Sequence, residues 1–203
     1  RTGYLCTPTI TVGVSPHHRQ FHGTMWADAP AFRDYVESLT RNLAYHGIDR
    51  VIFVNAHGGN VEHLREVGRR VRDDGTMYAI EWMWNESIPD LVDESFESNG
   101  PHGGPKETAL IQHLHPDLVH EDRLADARDG GLVDWQDGDV AQNGARTFYD
   151  AIENTENGVL GDQTDATAAI GERLFEAATE QLCELCEWLA DRDRSTLMPP
   201  EHV

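Results

Sequence analysis

Residues 51–60 read VIFVNAHGGN. The run Val51–Asn55 is apolar up to its last residue, which is the pattern of a strand buried on both faces, as in a parallel sheet. Ala56, His57, Gly58, Gly59 and Asn60 then break the strand. A helical periodicity starts at once, with Leu64, Val67 and Val71 on one face. A histidine therefore stands on a glycine-rich turn at the carboxyl end of a strand, the edge of an open α/β sheet at which ligands bind. The two glycines let the backbone turn tightly and come close to a bound group, and Asn60 is placed to cap the helix that follows. The simpler alternative for His57 is a turn histidine that merely packs, but polar residues on loops at this edge are functional more often than loop residues in general.

Outward from this stretch the pattern repeats. Upstream, Asp28 and Pro30 read as a helix start and Gly47 as its stop, with Phe32, Val36, Leu39 and Leu43 as the apolar face. Downstream, Met77–Met83 (MYAIEWM) reads as a second strand, so strand, helix and strand make a right-handed βαβ unit with parallel strands. Thr9–Val14 (TITVGV) reads as a further short strand. A helix begins near Pro105 and runs through Leu110, Ile111 and Leu114 to Pro116. The last helix lines up Ile170, Leu174, Ala178, Leu182, Leu185 and Leu189, with Thr164 or Asp165 as its cap. Between them residues 120–165 are loop-rich and acidic, with Trp135, Phe148 and Tyr149 as candidate anchors. The fold class is α/β.

At 203 residues the chain suits one large domain. Its formal net charge of −20 argues against nucleic acid or an anionic membrane as partner, since both need clustered Lys and Arg. The acidic residues are dispersed and Lys106 is the single lysine, a composition that suggests the hydrated surface of a halophilic protein. Cys6, Cys183 and Cys186 make no disulfide framework, and Cys183 and Cys186 lie at i and i+3 of a predicted helix, where packing is the favoured role over a metal or redox pair. No stretch approaches the ~20 apolar residues of a membrane span, and no signal peptide is present, which points to the cytoplasm. The chain opens on Arg1-Thr2-Gly3 without Met and reads as a fragment or a processed product.

Two further stretches carry candidate chemistry. Residues 15–24 (SPHHRQFHGT) hold three histidines, and on an extended segment His17 and His18 would point to opposite faces, so that at most one of them would face a site; the alternative is a solvated loop with incidental histidines. Residues 99–110 (NGPHGGPKETAL) form a constrained loop that leads into a helix with Glu107 in its first turn. A first-turn acid is stabilised by the helix dipole alone. Yet a loop that presents His102 and Glu107, in a chain that also presents His57 on a sheet edge, makes a metal or acid–base constellation.

Together GVSPHHRQFHGT (13–24), VNAHGGN (54–60), HGGPKETAL (102–110) and GVLGDQTDAT (158–167) resemble, in order and spacing, the creatininase family of metal-dependent amidohydrolases. The resemblance implies a three-layer α/β/α sandwich with a mainly parallel central sheet. It implies a divalent metal centre of one or two ions per subunit, Zn or Mn with Fe as a further option. It also implies hydrolysis of a non-peptide or cyclic C–N bond of a small molecule, and a homo-oligomer, often a hexamer. His57 matches the family's metal histidine, Glu107 a metal ligand, His102 the residue that handles protons or substrate, and His18 a histidine near the substrate. Ala56 replaces a usual glycine, His17 stands at a usual glutamate and His22 at a usual proline. Nothing matches the upstream Glu-x-His segment and the further Asp that complete the family's metal site. The chain is thus read as a single creatininase-like domain over 1–203 lacking that segment.

Within this reading Gly58, Gly59 and Asn60 line the substrate or oxyanion position, and Trp82 and Trp84 flank the sheet edge, where one could stack on a flat substrate. Creatinine, a formylamino-pyrimidine nucleotide of flavin and deazaflavin synthesis, and a peptide are the substrates the family offers. Arg19 is the obvious cation for a phosphorylated one. A relative without metal or catalysis, and a nucleotide-binding domain using AHGGN as a phosphate turn, are the alternatives; the latter is weak, because no GxGxxG follows the strand.

Overall fold

The computed structural model describes residues 2–97, 99–130, 150–198 and 200. Trp135, Phe148 and Tyr149 lie outside the described residues. The chain divides into two compact units. The first is Arg1–Ser15, Met25–Ser87 and Glu180–Val203; the second is Pro16–Thr24 and Ile88–Thr179.

The first unit is built on the predicted strand–helix–strand. Strand β1 (Arg50–Asn55) pairs in parallel with β2 (Tyr78–Met83), in a register that sets Val54 opposite Trp82 and Asn55 opposite Met83. The connecting helix α2 spans Val61–Asp73 and buries Leu64, Val67, Gly68 and Val71. It packs on β2 and on α1 (Ala29–Tyr45). Val67 and Val71 are fully enclosed, and each such side chain contributes about 1.5–3 kcal/mol relative to exposure. Val14, Phe32 and Val36 complete that core with Leu64 and Val67.

Helix α1 starts after Asp28 with proline in its first turn and ends as predicted at Gly47, whose φ of 85° only glycine adopts readily. The Gly47 N–H donates to Ala44 O and the Ile48 N–H to Leu43 O, which is a Schellman ending. Its buried stripe is Phe32, Val36 and Thr40, however, and Leu39 is left 38% exposed. The predicted stripe drifts because positions 32, 36 and 40 recur at i+4, and the Thr40 hydroxyl satisfies itself on the Val36 carbonyl.

Two further expectations are corrected. The strands are not enclosed on both faces: most of their residues are half-buried and Val54 is 61% exposed. Thr9–Val14 forms no strand, since its polar groups are satisfied elsewhere. The Val14 N–H donates to the Asn60 side chain and Gly13 O accepts from the Ala27 N–H.

The second unit is assembled from short helices, α3 (Pro89–Ser95), α4 (Pro105–Leu114) and α5 (Leu124–Gly130), and from the first part of α6 (Ala168–Ala190). Helix α6 is opened by Thr167, whose hydroxyl accepts from the Ile170 N–H, and not by Thr164 or Asp165. Those two belong to a preceding single turn capped by Asp162. Cys183 and Cys186 lie inside α6, with Cys186 buried and its thiol pushed up by that burial. A four-residue helix, α7 (Arg194–Leu197), follows in the first unit. Among the described residues no helix is long and apolar enough to cross a membrane.

The charged faces of α1 and α2 are laced together. Glu37 accepts from Arg41 at 2.9 Å and from Arg70 at 3.1 Å, and Arg41 reaches on to Asp74 at 2.6 Å. Arg41, and with it Arg70, hold the Glu37 carboxyl below the usual carboxylate range against the opposing effect of burial. A carboxylate so lowered adds stability above its unfolded pKa of about 4.3 and loses it as pH falls through the folded value. Glu37→Gln is expected to cost roughly 0.5–1 kcal/mol at neutral pH, with the difference from the parent shrinking as pH falls below about 4.3, as read by urea unfolding across that range.

Candidate active site

In the first unit His57 sits between the end of β1 and a single 3-10 turn (Gly58–Asn60), half-buried and in extended backbone (φ −139°). Its N–H donates to Asn55 Oδ1 at 3.1 Å and its ring Nε2 lies 3.2 Å from Val14 O. A carbonyl can only accept, so Nε2 carries the ring proton in that contact. Nδ1 then keeps its lone pair, which is the form of an imidazole that ligates metals. Gly58 is exposed and Gly59 half-buried. Gly58 has no left-handed φ, and a Cβ there would meet no heavy atom within 4 Å, so neither turn geometry nor packing demands glycine at this position.

Asn60 is not the side-chain cap expected for α2. Its Oδ1 accepts from the Val14 N–H at 2.9 Å and its Nδ2 donates to Asn55 Oδ1 at 3.3 Å. Gly13 is required beside it, because a Cβ there would lie 3.0 Å from Asn60 Cγ and closer still to its amide atoms. Trp82 and Trp84 are both half-buried, at the carboxyl end of β2 and just beyond it, the end of the sheet that also carries His57.

In the second unit His18 lies in a 3-10 turn (Pro16–His18), not in an extended segment. Its buried ring stacks on His102, with centroids 4.0 Å apart and planes at 26°, and touches His17 at 4.2 Å. His22 is exposed. The His102 carbonyl accepts from the Leu160 N–H at 2.7 Å, which clasps the 99–104 loop to the 158–161 turn. Glu107 does act as a first-turn acid: its Oε2 accepts from the Gly104 N–H at 3.0 Å. This is half of a capping box, since Gly104 has no side chain to answer. Lys106 is buried and donates to the Gly100 carbonyl at 3.2 Å. Arg19 forks onto Asp150 through two contacts of 2.5 Å and holds that carboxyl low.

The structure thus brings His57, Gly58, Gly59, Asn60, Trp82 and Trp84 to one sheet end of the first unit, and His18, His102 and Glu107 to one region of the second. Sequence reasoning gave no role to Asn55 and passed over Glu81. Asn55 is 3% exposed at the end of β1 and Glu81 is a carboxylate inside β2 whose side chain is 3% exposed. The available signal was a charge in the middle of the run YAIEWM. Among the described residues no three His, Cys, Asp or Glu side chains are gathered to hold a metal ion.

Solved structures share this architecture. A putative creatinine amidohydrolase from Bacteroides fragilis NCTC 9343 matches with a TM-score of 0.75 at 22% identity, over 90% of this chain and 70% of that one. A creatininase mutant complexed with creatine matches with a TM-score of 0.69 at 22% identity, over 89% and 74%. The fold is therefore the α/β fold of the creatininases. The family model described as creatinine amidohydrolase matches residues 1–186, and the chain belongs to the creatininase family of metal-dependent amidohydrolases. A mycofactocin precursor peptide peptidase of Mycobacterium ulcerans (strain Agy99) is 31% identical over 192 residues, 94% of this chain and 69% of that protein. A creatinine amidohydrolase of Pseudomonas putida is 29% identical over 146 residues, 62% of this chain and 55% of that protein.

The glycines of the two loops differ in what they do. A Cβ at Gly100 would fall on the Leu160 carbonyl and 2.5 Å from Gly161 N, both backbone. Gly100→Ala is expected to destabilise by about 2 kcal/mol or more, while Gly58→Ala stays within about 1 kcal/mol of the parent, as read by thermal unfolding.

Proposed function

We propose that this chain hydrolyses the amide C–N bond of a peptide with the help of a divalent metal, Zn or Mn. The observation that carries the reading is His57, a half-buried imidazole at the carboxyl end of a parallel strand, set by Val14 O in the tautomer that ligates through Nδ1. Glu107 suits a cation too, as a carboxylate held by the Gly104 N–H at a helix start. His57, in the first unit, and Glu107, in the second, are each proposed as a metal ligand, and a catalytic zinc takes about three protein ligands with water as the fourth. A divalent ion bound by such groups would lower the pKa of a water towards ~7 and polarise the scissile carbonyl.

The chain's own groups do the rest. His102 delivers a proton to the leaving nitrogen, and His18, stacked on it, fixes the plane of its ring. Backbone amides at Gly58 and Gly59 receive the developing oxyanion, and the space beside Gly58 suits close approach of a substrate. Asn60 is assigned to holding the turn rather than touching substrate, since its amide is engaged with Val14 and Asn55. Trp82 and Trp84 flank the substrate at the sheet end.

A peptide is favoured over a small cyclic amide because the similarity to the peptidase spans nearly the whole chain, whereas that to the creatinine amidohydrolase spans 62% of it. A phosphorylated pyrimidine is not favoured, because Arg19 is taken up by Asp150. Creatinine-like cyclic amides are the second reading, supported by the Pseudomonas putida relative.

The test is turnover by the protein, loaded with Zn2+ or Mn2+, of a panel of peptides, creatinine and a formylamino-pyrimidine nucleotide. Peptide cleavage is expected; turnover of creatinine or the nucleotide alone overturns the substrate assignment. His57→Ala and Glu107→Gln are expected to lose bound metal by elemental analysis. His102→Asn is expected to retain it while kcat falls by about 10²–10⁴. Full activity of His102→Asn would remove that residue from proton transfer.

A further inference from the structure

We infer that Glu81 is a positioning residue for His57, acting through Asn55 to set the direction of the side-chain amide hydrogen bonds that hold the turn carrying it. The inference rests on the reading of His57 as a metal ligand. Glu81 lies on β2 two pairing steps from the sheet end, with its side chain 3% exposed. Its Oε1 accepts from Asn55 Nδ2 at 3.2 Å. Its Oε2 accepts from Arg65 Nε at 3.3 Å and lies 3.2 Å from Arg65 Nη2. An ionised carboxylate can only accept. It therefore draws the NH2 of the buried Asn55 amide towards itself and turns Asn55 Oδ1 towards the HGGN turn.

That oxygen receives the His57 N–H at 3.1 Å and Asn60 Nδ2 at 3.3 Å. With its NH2 committed to Asn55, Asn60 presents Oδ1 to the Val14 N–H at 2.9 Å. Val14 in turn offers its carbonyl to His57 Nε2 at 3.2 Å. The chain of bonds starts at one acceptor-only group and closes on both the backbone and the ring of His57. Buried networks of this kind are unforgiving: if the Asn55 amide reverses, its NH2 faces the His57 N–H, and a second donor–donor contact follows at Asn60 or, if Asn60 reverses too, at the Val14 N–H.

Glutamine is nearly the same shape and breaks the rule. In Glu81→Gln one end of the new amide is a donor. If the donor faces Arg65, two donors oppose there; if it faces Asn55, the Asn55 amide must reverse and its NH2 meets the His57 N–H. Removing Arg65, which is 64% exposed, lets water take the donor end and restores the original direction. Arg65→Ala/Glu81→Gln should therefore rescue what Glu81→Gln loses, which a purely steric role would not allow.

The test measures amide hydrogen exchange by NMR and Zn2+ affinity by calorimetry on the parent protein and these variants. In Glu81→Gln the His57 and Val14 amides should exchange about tenfold faster or more, with Val67 and Val71 of α2 unchanged, and Zn2+ should bind about 10–100-fold more weakly. The double variant should recover most of both. Parental exchange at His57 with parental Zn2+ affinity in Glu81→Gln overturns the inference, as does equal acceleration at Val67 and Val71, which would mean general loosening, or a double variant worse than the single. If the parent protein itself binds no Zn2+, the metal reading fails, and the exchange at His57 and Val14 still decides the role of Glu81.

Discussion

The side chain of Asn60 joins two stretches 46 residues apart, and the first unit depends on that joint. Its oxygen takes the Val14 N–H and its nitrogen reaches Asn55, so residues before α1, the end of β1 and the start of α2 meet on one amide. Val14 is in the core with Phe32, Val36, Leu64 and Val67, so the polar joint and the apolar cluster share a residue. Burial of that cluster supplies non-directional stabilisation. The amide supplies direction, because an Asn has one donating and one accepting end and each must face its complement. Gly13 is the steric condition for the joint: a side chain there would occupy the place of the Asn60 amide.

The second unit solves its local problem with backbone instead of side chains. The 99–104 loop and the 158–161 turn lie close enough that Gly100, Gly104 and Gly161 each have opposing backbone within 3 Å or so of a Cβ position. The Leu160 N–H bonds to His102 O, Gln163 Nε2 donates to Gly103 O and the buried Lys106 donates to Gly100 O. His102 is thus held by its own backbone, its ring rests on His18, and Glu107 is fixed by the amide it caps. In a chain with a single lysine, that lysine serves as an internal clamp rather than as surface charge.

Family membership and site geometry bear on different questions. The family accounts for the general reaction type, metal-dependent hydrolysis of an amide-like C–N bond. The side chains around the candidate residues bear on the substrate. Arg19, next to His18 in the chain, is paired with Asp150. The His18 ring lies against those of His102 and His17, with Phe21 6.5 Å away.

Sequence by itself determined the elements whose signals are local. The period of 3.6 in 61–73, the apolar runs 51–55 and 77–83, the glycine stop at 47 and the parallel pairing follow from residues near one another in the chain, where sterics and burial act within a turn or two. The four family motifs were legible for the same reason, as short strings. Tertiary structure alone decided the rest. Leu39 faces outward although its spacing suits a core, TITVGV is no strand because its polar groups find partners on Asn60 and Ala27, and Thr167 caps α6 in place of Thr164. The roles of Asn55, Glu81 and Gly13 were invisible for a physical reason. Hydrogen-bond direction and close backbone approach are properties of pairs 26 and 46 residues apart, and no string of neighbours encodes which end of a buried amide must face which partner.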